Sequence, residues 1–304
     1  MEFQQRGLGV RRRVRAVAGT MAGGLLAVSL ATVSGCSSQT VADERPGAAA
    51  RESVVAVLHR AADVLVETGS SRVRTTMETA TGGTRVSIRG SGAYDFEKRL
   101  GRLRLLLPRD ATGAAEHAPI TELLASGALF MRNRGAGIPH DKWVRVDTTD
   151  IPDGNLVTGG ATDPLTAAEL LRGVRKASLV GEEGLGGDLV RHYRGTTDIG
   201  RAARVASEGA RGSLSAAARG FDESTVPFDA YLDGLGRLRE VRHRFTLSGR
   251  ADGREAGQGP DAAGRREALG VASTTELYDF GAPAVVELPN PTDIYTGKVG
   301  SPQK

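Results

Sequence analysis

The sequence predicts an α+β protein: one large curved antiparallel sheet, a half-barrel, with a few helices covering its concave face. Three observations carry this. About ten segments alternate apolar and polar residues with period two, the signature of strands with one wet face. Their links are mostly short, and only a few stretches keep helical spacing, so the strand–helix alternation of a parallel sheet is absent. No internal repeat of fixed period occurs.

The first element is a helix over Glu52 to Glu67, where Val54, Val55, Leu58, Ala61, Ala62, Leu65 and Val66 recur at helical spacing and Gly69 supplies a stop. "SRVRTTMETA" then switches to period two, with Val73, Thr75 and Met77 on one side. After a "TGG" turn, "TRVSIRGSGAYDF" places Val86, Ile88, Gly90 and Gly92 on one side, and its interior glycines mark a bend or a close approach. "RLGRLRLLLP", "ALFMRN" and "KWVRVD" continue the pattern. A helix follows over Pro164 to Val174, capped by Asp163 with Pro164 at its first position. Five more strands follow: "KASLVGEE", "DLVRHYRGTT", "VPFDAYLDG", "GRLREVRHRFTLSG" and "VASTTELYDFG". "LDGLGR" is a tight hairpin link between two of them. Two polar stretches, near 201–224 and 249–268, lack a core pattern and read as flexible insertions, the first with room for a short helix.

The amino terminus sets the location. Arg6, Arg11, Arg12, Arg13 and Arg15 precede an uncharged run from Ala16 to Val33, an export signal by its charged and apolar regions. "RRRVR" also admits a twin-arginine reading, although the residues after the pair support it poorly. Val33, Ser34, Gly35 and Cys36 follow directly, and this tetrapeptide resembles the lipobox of bacterial lipoproteins. That resemblance implies an acyl-bearing Cys36 as the first mature residue, after a signal peptide of residues 1–35. Cys36 is the chain's one cysteine, so it builds neither a disulfide nor a thiolate metal site. Two acyl chains hold a protein stably on a bilayer, at about 0.8 kcal/mol per buried methylene. The partner implied is the membrane, at the outer face of the cytoplasmic membrane. Residues 36–51 are small and polar, a tether.

Removal of residues 1–35, with five arginines and one glutamate, reduces 40 basic and 36 acidic side chains to 35 of each. The basic excess belongs to the signal. With aromatics at 4% of the chain, nucleic acid is not an expected partner.

The late elements "FDAYLDGLGRLREV" and "ELYDFGAP", together with the lipobox, tether, first helix and long strands, resemble the LppX/LprG-type lipoproteins of actinobacteria, which share the LolA/LolB carrier fold. The matching residues are Trp143, Asp233, Gly236, Arg237 and Tyr278-Asp279-Phe280-Gly281, and the resemblance spans residues 52–289, leaving 290–304 as a tail. The two polar insertions depart from it. What it implies is a carrier or sensor of an acylated amphiphile, a lipid or glycolipid, held in an apolar cavity. Burial of about 12 methylenes is worth roughly 10 kcal/mol before association costs. The sheet residues proposed to line such a cavity are Val73, Met77, Val86, Ile88, Leu103, Leu105, Leu107, Phe130, Val144, Val146 and Phe228, with Gly90 and Gly92 lowering the floor to leave space. Ordinary packing beneath a helix is the alternative for each.

No G-x-S-x-G elbow, H-E-x-x-H helix or phosphate-binding loop occurs. His59, His117, His140, His192 and His243 are scattered, the last two on expected solvent faces of strands, and the aspartates cluster too loosely for calcium. The expectation is a protein that is not an enzyme and carries no metal or cofactor. The alternative to lipid carriage is a non-catalytic module that binds another envelope protein, for which the stretch 249–268 offers a loop.

Overall fold

The structure is a computed structural model that describes residues 53–81, 84–108, 118–133, 137–247 and 269–296. The signal, the whole tether and the stretch 249–268 lie outside the described residues. So do Val33, Ser34, Gly35 and Cys36.

Helix α1 spans Val54–Thr68. The Ser53 side chain accepts a hydrogen bond from the Ala56 amide at its start, and Gly69, at φ +88°, sends its amide back to the Leu65 and Val66 carbonyls at its end. The helix buries Leu58, Ala61, Ala62 and Leu65, four positions of one stripe. Six strands follow: β1 Ser70–Thr81, β2 Thr84–Asp95, β3 Leu100–Leu106, β4 Ile120–Ala125, β5 Ala128–Arg132 and β6 Val144–Asp147. After α2 (Pro164–Leu170) and a 3₁₀ turn (Leu171–Gly173) come β7 Val174–Leu185 and β8 Asp188–Asp198. Two helices, α3 Ile199–Val205 and α4 Glu208–Gly220, precede β9 Thr225–Asp233, β10 Leu238–Leu247 and β11 Leu269–Tyr278.

All eleven strands form one open antiparallel sheet in the order β6-β5-β4-β3-β2-β1-β11-β10-β9-β8-β7. The chain thus meanders outward from β1 to one edge and inward from the other edge to β11, and the two halves join where β1 pairs with β11. One topological consequence fixes the architecture. Strands β6 and β7 are consecutive in sequence yet occupy opposite edges, ten strand spacings or roughly 48 Å apart measured along the sheet. Residues 148–173 must therefore cross the whole sheet, and they do so over one face, carrying α2 with them.

That covered face is the core. Along it, cross-strand partners repeat in rows, such as Leu277, Val73, Gly92 and Leu103, and they pack against Leu58 and Leu65 of α1 and Leu165 and Leu171 of the crossover. A second apolar group joins Met77, Phe245 and Val271 to Ala202, Ala210, Leu214 and Ala217. Residues 199–220 are therefore not a flexible insertion. They are two packed helices whose buried stripe is largely alanine, and α3 is capped by the Asp198 side chain on the Arg201 amide at 2.5 Å.

The motif residues of the late elements clasp the end of the sheet. Asp233 accepts the amides of Leu235 and Arg237 at 3.0 Å each and the Arg237 guanidinium at 2.8 Å, closing the hairpin in which Gly236 sits at φ +79°. Arg237 in turn stacks over the Phe280 ring, 4.4 Å from its centre. On the opposite face, Trp143 bridges to Ile294, so residues 290–296 pack against the sheet edge instead of trailing free as a tail.

Candidate functional site

The candidate site is the covered face between the sheet and the crossover. Strand alternation aims Val73, Met77, Leu103, Leu105, Val144 and Phe228 into it, all buried, and Ile88, Leu107 and Val146 pack half-buried beside them. Two residues expected there stand elsewhere. Val86 shares a cross-strand row with Thr79 but is 42% exposed, since it lies beyond the reach of the helices. Phe130 points through the sheet to its outer face, where it packs with Leu123, Ala128, Trp143, Val286 and Ile294. Strand β5 is buried on both faces, so its sequence carries no readable phase.

The glycines do not leave space. A Cβ at Gly90 would overlap Thr75 Oγ1 and approach Leu105, and one at Gly92 would overlap the Arg102 carbonyl of the neighbouring strand. Both positions are small so that side chain and backbone can move in, and the interior is packed where a hollow was expected. A small cavity of about 30 Å³ lies at one end, lined by Tyr94, Asn155, Asp163 and Ser213 among others, with room for one or two waters. Burial raises the Tyr94 hydroxyl well above its ordinary pKa of 10 and raises the Asp163 carboxyl, although the Thr166 amide at 2.7 Å stabilises that carboxylate.

Polar groups lie under the apolar lid. Ser71, Thr75 and Thr275 hydroxyls and His243 Nε2 are buried without a hydrogen-bond partner among the described residues. They sit on β1, β10 and β11, at the centre of the sheet, with Thr75 and Thr275 directly opposite each other. An unsatisfied buried hydroxyl costs on the order of 1–3 kcal/mol. Burial alone holds the His243 imidazole neutral, with its pKa lowered to about 3. His243 and His192 are both buried, contrary to the expected solvent positions: His243 is flanked by Phe228 and Phe245, and His192 stacks on Tyr231 and bonds Asp229 at 2.7 Å.

The lid lies close over these groups. Thr162 Oγ1 meets Ser273 Oγ at 2.6 Å beside them, and Gly160 rests on Leu105 and Ile88. The residues facing down from the lid mix small Ala161, Ala167 and Ala168 with Leu165 and Leu171.

No protein-family model matches the sequence, and no curated protein matches it. Among solved structures, the chain is similar to the lipoprotein LppX of Mycobacterium tuberculosis, at 11% identity and a TM-score of 0.41 over 77% of this chain and 100% of that one. It is also similar to LprF of Mycobacterium bovis, at 12% identity and 0.37 over 78% and 96%. A LolA-superfamily protein of Nitrosomonas europaea overlaps at 11% identity and 0.30 over 73% and 92%. At such identities, the chemistry of the site is set by what this chain's own residues show.

Proposed function

We propose that this chain is an envelope lipoprotein, exported, anchored through Cys36 to the outer face of the cytoplasmic membrane, and able to take an acylated amphiphile between its sheet and the crossover 148–173. The observation that carries the reading is the group of buried, unpartnered hydroxyls of Ser71, Thr75 and Thr275 under the crossover lid. The apolar rows around them suit acyl chains, and the hydroxyl donors suit the ester or amide oxygens of a lipid or glycolipid. In the packed state described here, uptake requires the crossover to lift, exchanging lid–sheet contacts for ligand–sheet contacts of the same apolar kind. The dense packing itself favours the second reading, a closed module that presents its surface to another envelope protein.

A clamp separates the two. Residues 50–304 form one compact unit with its own core, so residues 43–304, which contain no cysteine, serve as the test protein. Thr162→Cys with Ser273→Cys places two thiols where the hydroxyls now touch. Carriage predicts uptake of an acylated lipid by the reduced protein and none by the oxidised one. Equal uptake in both states, or none in either, removes the lid mechanism. For the anchor, Cys36→Ala is expected to release the protein to the medium or leave it uncleaved, and unchanged membrane retention of a mature form contradicts it.

A further inference from the structure

The outer face of the sheet carries a groove that the carrier reading does not use. Strand register places Arg72 of β1, Ala93 of β2 and Arg102 of β3 in one row, and Ser91 and Arg104 in the next. The small residues of β2 leave a trough between the arginines, and residues 283–286, running past β11, wall it with Pro283, Val285 and Val286. The trough encloses about 400 Å³. Arg72, Arg102 and Arg104 are exposed and have no acidic partner among the described residues. The nearby carboxylate of Glu276 is taken by Arg74 at 2.9 Å, and that of Glu78 by Arg242 at 3.1 Å. Glu287 follows Val286 in the chain but is not among the residues that line the trough. Val285 is 79% exposed, an apolar side chain held beside three guanidinium groups.

We propose that this groove is a second, peripheral membrane contact that seats the phosphate of an anionic phospholipid headgroup. Planar guanidinium groups pair with phosphate oxygens two bonds at a time. Exposed valine beside them matches the boundary between headgroup and acyl chain. The inference rests on the anchored reading for its geometry. The 17 residues from Ser37 to Ser53 span at most about 60 Å when extended, enough for the domain to lie on its outer face rather than stand above the bilayer. The covered face and its crossover would then point away from the membrane.

The test uses unacylated residues 43–304, so Cys36 plays no part, and lipid uptake into the interior is followed separately by mass. Sedimentation is measured with phosphatidylcholine vesicles and with vesicles that also contain phosphatidylglycerol. The expected result is salt-sensitive binding to the anionic vesicles alone. Each basic residue near such a surface contributes about fivefold, so Arg72→Gln/Arg102→Gln/Arg104→Gln is expected to lower binding at least tenfold. Arg204→Gln/Arg211→Gln/Arg219→Gln, of equal charge change and exposed on the helices of the covered side, is expected to alter it less than about twofold. Matching thermal melts establish that both variants fold, and Arg104→Gln alone, with a severalfold loss, serves if the triple does not. Equal losses in the two triples, or no binding of the unsubstituted chain to anionic vesicles, overturn the groove. Neither result touches the carrier reading, whose failure would show as an empty interior in a chain that still binds vesicles.

Discussion

The two faces of the sheet treat a buried titratable group in opposite ways, and they do so one residue apart. On the covered face, His243 lies opposite Phe228, with its Nε2 unpartnered among the described residues, and burial drives its pKa to about 3. On the outer face, the next residue along β9, Asp229, is only 3% exposed but accepts His192 at 2.7 Å, Arg194 at 2.7 Å and Arg244 at 2.7 Å. Burial alone would raise its pKa, and those three donors overcome it and hold it at about 2. The difference teaches that this sheet separates two chemistries: an interior that neutralises charge, suited to acyl chains, and an exterior that organises charge.

The comparison breaks or sharpens under substitution. The largest effect belongs to the covered face: Leu103→Ala, fully buried, is expected to cost about 3–4 kcal/mol in denaturant unfolding. Arg104→Ala, one residue on and facing out, is expected to cost less than about 0.5 kcal/mol. Equal costs would erase the distinction between faces. His243 gives the next effect. Its folded pKa lies below the ordinary 6.5, so its contribution is full above that value and falls by about 1.4 kcal/mol per unit as pH drops toward 3. His243→Leu is expected to flatten stability between pH 6.5 and 4.5, a difference of roughly 3 kcal/mol at the lower end. Asp229→Asn is expected to cost about 2 kcal/mol at neutral pH. Its carboxylate contribution is complete above about pH 4 and lost as pH falls through 2, so the variant and parent curves converge there. A constant gap down to pH 2 would contradict that ion network. Below Asp229→Asn comes Asp233→Ala, about 1 kcal/mol, for the two turn amides it leaves without their acceptor.

Period two was a reliable guide wherever one face is wet. It found ten strands with their order of occurrence, and the cap and first residue of α2 followed from Asp163 and Pro164. It failed where both faces are dry. "ITELLA" forms β4, but Leu123 is covered on the outer face by the carboxyl-terminal segment, so no alternation marks the strand. Phe130 was misassigned for the same reason. For 201–224 the sequence allowed a short helix but not the packed 13-residue α4, because its buried stripe is Ala210, Leu214 and Ala217, small enough to read as composition bias. For His243 the signal was present, since Val241, His243 and Phe245 share one phase, and only the polarity of histidine argued against burial. The crossover lid was invisible in sequence because it depends on β6 and β7 taking opposite edges, a pairing no local pattern encodes. The motif residues Asp233, Arg237 and Phe280 turned out to hold a hairpin to the end of the last strand.

The central claim is that the covered face accepts an acylated amphiphile. Native mass spectrometry of residues 43–304, purified from envelope-containing cells and followed by organic extraction, tests it most directly. A stoichiometric mass increment, released on extraction as an acylated lipid, is the predicted result. A clean mass of the chain alone, unchanged after incubation with envelope lipids, would contradict it and leave the closed interaction module as the function of this fold.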